Sequence, residues 1–346
     1  MQQKVLIVGS GPAGLSAAFF LSGHDFDVTV AERLGNDQYD RYHRICGGGI
    51  SRSTFKTLSP MEPKGILNEF EHTKLIWPDG TEIRMRTPGY ILDRPTFLSH
   101  LRSDCGDDVR FIHESVDSIC VIDGGFSVHS LDGDVGMFDW VIGADGASSI
   151  VRKDIFGSEP VSSCSATEFT VDRQPDDELI IRLSDNGSGS YSWEFPHGDM
   201  TGTGGIKGEH SEDEYIFRGS RKIPVGGVGR IVKGHAFLIG DAAAMANPVC
   251  YGGLKAALIA GRKAAESIIR DDPERLQRWW DRTILSDRRF MDFNRRLKEW
   301  TPEDMHDAVR PFKSGHVILP GILACITRPR NIHMYFGCLF AFRYGW

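Results

Sequence analysis

Apolar and polar positions fall into three regimes along the chain. Near the N-terminus an unbroken apolar run, KVLIV (4–8), leads through a glycine turn into LSAAFFL and then into VTVAE, which ends at Glu32. A short unbroken run reads as a buried strand, so this segment predicts strand, turn, helix and strand. From about Ser165 to Arg221 the pattern changes to alternation with many turn signals (PDD, DNGSG, HGD, TGG) and no helical period. That predicts an antiparallel sheet. Within it, SYSWEFPHGDMTGTGG (190–205) places Tyr191, Trp193 and Phe195 at alternate positions. A period of two projects all three rings from one face, as a flat apolar wall. LIWPDGTEIRMRT (75–87) predicts a hairpin turned at Pro78-Asp79-Gly80. VRFIHESVDSI (109–119) reads as one strand, and Gly226-Gly227-Val228-Gly229 as a hairpin rather than a second dinucleotide turn. Beyond residue 272 the spacing turns helical. Residues 278–300 (RWWDRTILSDRRFMDFNRRLKEW) predict one amphipathic helix, and HVILPGILACI with HMYFGCLFAF a buried helix pair.

Composition narrows the possible partners. The 346 residues carry a formal charge of −7, which argues against nucleic acid as the main ligand. Seven scattered cysteines, with no zinc-like spacing, fit a reducing cytoplasmic setting and imply no metal. No apolar run reaches the roughly 18 residues of a membrane span. MQQKVLIVG reads as a strand entering a turn and not as a signal peptide. Arg328, Arg330 and Arg343 beside the C-terminal apolar segments keep peripheral attachment to an anionic bilayer open.

Candidate chemistry begins at Gly9, Gly11 and Gly14, a GxGxxG turn between strand and helix that includes Pro12 and Ala13. The first glycine makes the tight turn, the second admits a pyrophosphate, and the third lets helix and strand pack closely. The helix N-terminus offers free N–H groups to phosphate. Glu32, followed by Arg33, stands 18 positions after Gly14, where its carboxylate can accept from a ribose. DWVIGADGASSIVR (139–152), with Asp145-Gly146, resembles the DG motif of the para-hydroxybenzoate hydroxylase-type flavoproteins. GHAFLIGDAAAMANPVCYGGLKAALIAGRKAAE (234–266) resembles their GD motif, through Gly240-Asp241, Pro248, Gly252, Gly253 and Leu254. The resemblance implies FAD, with Asp241 at the ribityl chain and the following helix N-terminus at the flavin. It also makes Arg94, in YILDRPTFLSHL, a phosphate or ribose contact, and puts adenine near Val116. An arginine on the surface, capped by Asp93, is the plain alternative for Arg94. The reductant is left open between NAD(P)H and a ferredoxin-type protein.

Tyr191-x-Trp193-x-Phe195-Pro196, then seven residues and Gly204, is similar to the YxWxFPxxxxxxxG motif of the geranylgeranyl reductases. RICGGGIS (44–51) resembles the same family's cysteine loop, with Arg44, Cys46, Gly47 and Gly49 beside the flavin. The resemblance covers residues 4–266. It implies an FAD enzyme that saturates isoprenoid chains, above all those of archaeal membrane lipids, with the aromatic wall as platform. Cys46 and Tyr191 are the proton-donor candidates, since no strong acid is visible, and Cys250 joins Cys46 as a thiol expected at the isoalloxazine. Arg182, Lys207 and Arg221 are the basic candidates for a head group, with a solvated rim as the plainer reading of each. An aromatic hydroxylase or halogenase on the same fold, and a non-catalytic lipid- or quinone-binding flavoprotein, are the rival expectations. The expected architecture is α/β (α+β). Residues 1–72, 91–158 and 226–272 bind FAD, 73–90 and 159–225 form the substrate sheet, and 273–346 are helical.

Overall fold

The computed structural model describes residues 2–184, 191–206, 214–312 and 316–344. Lys207 lies outside them. The KVLIV run forms the centre of a six-stranded sheet made of β1 (Gln3–Val8), β2 (Phe26–Glu32), β6 (Val109–His113), β10 (Trp140–Gly143), β16 (Val232–Lys233) and β17 (Ala236–Leu238), ordered β16-β17-β10-β1-β2-β6. All pairs are parallel except β16–β17. Val5, Leu6, Ile7, Val141 and Ile142 are wholly buried, as an unbroken apolar strand requires. Helix α1 (Pro12–Leu21) connects β1 to β2 and packs on the long α5 (Leu254–Ile269).

A second sheet of eight strands carries the alternating region: β3 (Gly49–Ser51), β4 (Ile66–Ile76), β5 (Glu82–Leu92), β11 (Ser162–Val171), β12 (Leu179–Leu183), β13 (Tyr191–His197), β14 (Met200–Ile206) and β15 (Tyr215–Val225). Its order is β15-β11-β14-β13-β12-β4-β5-β3, antiparallel except for the β12–β4 pair. The expected hairpin is β4–β5, whose strands run from Ile66 to Leu92, well beyond 73–90.

Three expectations are corrected. VRFIHESVDSI is two strands: β6 ends at His113, and β7 (Val116–Ile122) joins β8 (Gly125–Ser130) and β9 (Gly133–Phe138) in a separate small sheet. The chain turns between them, where the Glu114 N–H donates to the Glu32 carbonyl at 3.1 Å. Gly226–Gly229 is a linking segment, and the hairpin falls at Gly234-His235, between β16 and β17. Residues 278–300 are not one helix. α6 (Glu274–Asp281) ends before a 3-10 turn (Ile284–Ser286), and Asp287 then caps α7 (Arg288–Leu297) by accepting from the Arg289 N–H. An Asp at that position restarts the helix by satisfying a donor of its first turn. Helices α8 (Pro302–Val309), α9 (Ile318–Thr327) and α10 (Ile332–Tyr344) complete this region. The last two are the expected pair, although α9 is largely exposed and only Gly321 and Ala324 on it are buried. Between β3 and β6 stand α3 (Arg52–Leu58) and α4 (Arg94–Ser103), and α2 (Asn36–Arg44) precedes β3.

Candidate active site

One cavity of about 1050 Å³ lies between the two large sheets, roofed in part by residues 279–287. Its floor is where β1, β10 and β17 end, in Gly9, Asp145 and Gly240 respectively. Ligands of parallel α/β sheets sit at such carboxyl ends. Gly9 has φ +97°, a left-handed turn that favours glycine. Gly14 faces the Gly9 carbonyl so closely that no Cβ would fit, so its place is in the packing and not in the cavity wall. Glu32 reaches back to this turn: its carboxylate accepts from the Ser10 N–H and hydroxyl, both at 2.9 Å, and from the Leu34 N–H at 2.9 Å. Asp145 Oδ2 accepts from the Ile150 N–H at 2.7 Å, whereas its Oδ1 is buried without a partner. Arg152 donates to the Ala242 and Ala147 carbonyls at 2.9 and 2.8 Å, which ties the two motif loops together.

An extended dinucleotide fits this floor. Gly11, Pro12, Ala13, Arg33, Val116, Gly146, Asp241, Gly252, Gly253 and Leu254 all face the cavity, and Asp145 Oδ1 offers a buried acceptor with nothing yet to accept. Helix α5 begins at Leu254 with no side-chain cap, so its N–H groups are available there. FAD is a group that this set of residues could hold, with Gly9–Ala13 and Glu32 available to an adenosine and its phosphates and Asp145, Asp241 and Gly252–Leu254 to a flavin.

The ceiling follows from strand register. Trp193 pairs with Gly204, Gly204 with Glu168, and Glu168 with Gly219. One row therefore presents an indole and a carboxyl on the same face. The next presents Tyr191, Ile206, Ala166 and Arg221, with Ile206 paired to Ala166 and Ala166 to Arg221. The three expected rings do line the cavity. Gly204 does not. A Cβ there would enter the Trp193 ring, so the glycine makes room for the indole. Gly47 plays the same part for Phe195, whose ring would be 2.9 Å from a Cβ at that position. The cysteine loop and the aromatic strand are thus in direct contact. Pro196 is buried on β13 outside the cavity, and Arg44 turns towards the Phe217 ring instead. Pro248 acts through its carbonyl, which accepts from Asn294 on α7. Arg182 is on the outer face, paired with Glu194 at 2.7 Å, the solvated placement and not the head-group contact. Arg221 is inside, 3.1 Å from the Tyr42 hydroxyl and 3.8 Å from Asp241.

Charge gathers at one end. Cys46 and Gly49 face the cavity beside Arg94, which is buried and donates through Nε to the His43 carbonyl at 2.9 Å. A surface arginine capped by Asp93 is therefore excluded. Burial pushes the Cys46 thiol up, but Arg94, the Gly48 N–H and Arg221 together bring it below its ordinary value. Burial, with Arg94 and Arg221 adding to it, lowers His43 to about 2, so its ring is neutral. Tyr191 donates its hydroxyl proton to the Cys250 carbonyl, and burial raises its pKa well above the usual phenol range. Cys250 also faces the cavity, with its thiol pushed up to about 11 by burial. The acid that was not visible in the sequence is Glu168. It is 4 % exposed in the middle of β11, and burial raises its carboxyl well above the carboxylate range. Its only signal in the sequence is its place in the alternation SATEFTV, which puts Ala166 and Glu168 on one face. Tyr251 was missed as well. It has φ +53° and stacks with Tyr191 at 6.4 Å between centroids.

The chain resembles known proteins in sequence and in fold. The NAD(P)-binding Rossmann-like domain family matches residues 7–36. Digeranylgeranylglycerophospholipid reductase 1 of Methanopyrus kandleri is 28% identical, over 89% of this chain and 93% of its own. Digeranylgeranylglycerophospholipid reductase of Methanothrix thermoacetophila is 26% identical, over 79% and 80%. Among solved structures, a geranylgeranyl bacteriochlorophyll reductase-like protein from Thermoplasma acidophilum superposes with a TM-score of 0.79, at 19% identity, over 97% of this chain and 99% of that one. The flavin-dependent brominase Bmp2 gives 0.67 at 16% identity, over 98% and 94%. The chain is thus similar over most of its length to proteins named digeranylgeranylglycerophospholipid reductase, and it shares the mixed α/β fold of the superposed structures.

Proposed function

We propose that this chain is an FAD-dependent reductase that saturates isolated C=C bonds in geranylgeranyl chains carried on a glycerophospholipid. The observation that carries the reading is the continuity of one cavity, in which the dinucleotide loops face Tyr191, Trp193 and Phe195 across the same space. The relatives' names point to the same substrate class. Bound FAD, once reduced by an external donor, supplies hydride. The chain's own residues do the rest. An isolated alkene has no carbonyl to grip, so it is held by burial of its methyl and methylene groups, at about 0.8 kcal/mol per methylene. The aromatic row provides that surface, and Gly47 and Gly204 set the depth of the Phe195 and Trp193 rings. Positioning and exclusion of water follow from the same walls.

The lipid also has to be reached. Ile318, Leu319, Ile322, Leu323 and Ile326 are all exposed on α9, and Arg328 and Arg330 adjoin them. Among the described residues no helix is long and apolar enough to cross a membrane. We infer that α9 rests on an anionic bilayer surface, with aliphatic side chains among the acyl groups and guanidinium groups at the phosphates.

The test is anaerobic. FAD-loaded protein reduced with dithionite and mixed with a geranylgeranyl glycerophospholipid should add two mass units per double bond. An unchanged lipid, together with oxygen consumption coupled to an aromatic substrate in a parallel aerobic assay, would replace this reading with that of a hydroxylase.

A further inference from the structure

We propose that Glu168 is the acid that delivers the proton to the alkene, with Cys46 beside it to keep that proton on the carboxyl and Arg94 and Arg221 placed to accept the charge it leaves behind. The proposal rests on the reductase reading above. It starts from the register of the sheet: Glu168 lies two strands from Trp193 in one cross-strand row, and the only residue between them is Gly204, which has no side chain. Nothing on that row separates the indole that supports the alkene from the carboxyl. On the other side Glu168 faces Gly219, again without a side chain. The Trp193 ring lies over Gly204 and the Ile45 side chain over Gly219, and the carboxyl between them faces the cavity.

An isolated alkene cannot draw electrons away from its own π bond, so a proton must be arriving as hydride does. The step balances as follows. The Glu168 O–H bond breaks and its proton forms a C–H bond with the π electron pair. The other alkene carbon forms its C–H bond with hydride, whose two electrons come from flavin reduced by a low-potential donor. Glu168 is left as carboxylate and regains a proton from solvent before the next turnover.

The surroundings suit both states. Before transfer, burial and the nearby Cys46 sulfur favour the neutral acid. Arg94, on α4, and Arg221, on β15, pull Cys46 towards thiolate, whose charge in turn favours the neutral carboxyl. After transfer the same two guanidinium groups and the Cys46 backbone amide favour the carboxylate. The other charged or titratable groups at this end, Tyr42 and Asp241, are engaged with Arg221, and His43 is neutral against Arg94. Tyr191 has its proton committed to the Cys250 carbonyl and is poorly placed to give it up.

Glu168→Gln keeps the size of the side chain and removes its acidity. Loaded with FAD, E168Q should show the wild-type visible spectrum and the wild-type reduction by dithionite. Its reoxidation by geranylgeranyl glycerophospholipid under argon should be slower by about 10²–10⁴-fold, the usual contribution of a general acid. Wild-type reoxidation should fall as pH rises through the Glu168 value, E168Q should lose that limb, and Glu168→Asp should restore part of the rate with the limb displaced. Independently of turnover, the infrared carboxylic C=O band of a buried neutral acid should be present in wild type at neutral pH and absent in E168Q. An E168Q that reoxidises as fast as a working wild type, or a wild type lacking the band, overturns the proposal. A wild type itself inert towards the lipid overturns the reductase reading, and the proposal with it.

Discussion

Gly204 and Cys46 show how much of the site is decided by single atoms. A methyl group at position 204 has no space between the Trp193 ring and the Thr167 carbonyl. Overpacking of this kind costs about 1–3 kcal/mol. Gly204→Ala should therefore lower the unfolding free energy by that amount, seen as a lower denaturation midpoint, and displace the indole from the wall, with a matching loss of lipid reduction but retained FAD. A denaturant titration alongside the visible flavin spectrum checks both halves. For Cys46 the sign is set by the arginines. Because Arg94 and Arg221 outweigh burial, the folded thiol ionises at lower pH than a free one. Iodoacetamide should label Cys46 in the flavin-free protein with a rate that levels off below the roughly 8.5 of an ordinary thiol, and Arg94→Gln should move the profile upward. A profile unaffected by loss of Arg94 would remove the arginine from this role.

At the scale of elements, the loop from Ala244 to Gly253 depends on a helix far along the chain. Ala244 and Tyr251 both have φ +53°, which side-chain-bearing residues rarely adopt. Asn247 holds the loop from within, its Oδ1 accepting from the Val249 N–H at 2.8 Å and the Cys250 N–H at 3.2 Å. Asn294, on α7, holds it from outside, donating to the Pro248 carbonyl and to the Tyr251 hydroxyl. Asn294→Ala leaves a buried carbonyl unpaired, at about 1–3 kcal/mol. Lower stability and weaker FAD retention on dilution are the expected result, measured by denaturation and by equilibrium dialysis. None of this was legible in the sequence. The GxGxxG turn could be read because it stands in a local strand-to-helix context, and Asp145-Gly146 and Gly240-Asp241 through their resemblance to flavoprotein motifs. Asn294 could not, because its partner is 46 positions away. The break at Ile284–Ser286 was missed because helical spacing continues across it, while the Asp287 cap that restarts the chain is one aspartate among many.

Across the whole molecule the same contrast holds. Alternation in β13 predicted the aromatic wall because a strand's two faces are written in its own residues. Glu168 escaped because its function depends on register with β14 and β15, a property that no single strand carries. The C-terminal pair shows the opposite failure. The apolar content of α9 predicts burial, yet Leu319, Leu323 and Ile326 are 79%, 60% and 71% exposed. Helix α10 buries Met334, Tyr335 and Cys338 in the same core as Trp193 and Phe195, so the helix beside α9 is already fastened to the substrate side of the molecule. A surface of this kind, formed by one helix with arginines at its end, has the chemistry of an acyl and headgroup boundary. Replacing Leu319, Leu323 and Ile326 together by serine removes the aliphatic part without touching the cavity. The protein should then lose flotation with vesicles containing a third anionic lipid, while reduction of the same substrate in detergent micelles stays at the wild-type rate. Equal flotation of the triple variant and the parent would place the membrane contact elsewhere. Loss of the micellar activity as well would make α9 part of the fold's core rather than its docking face.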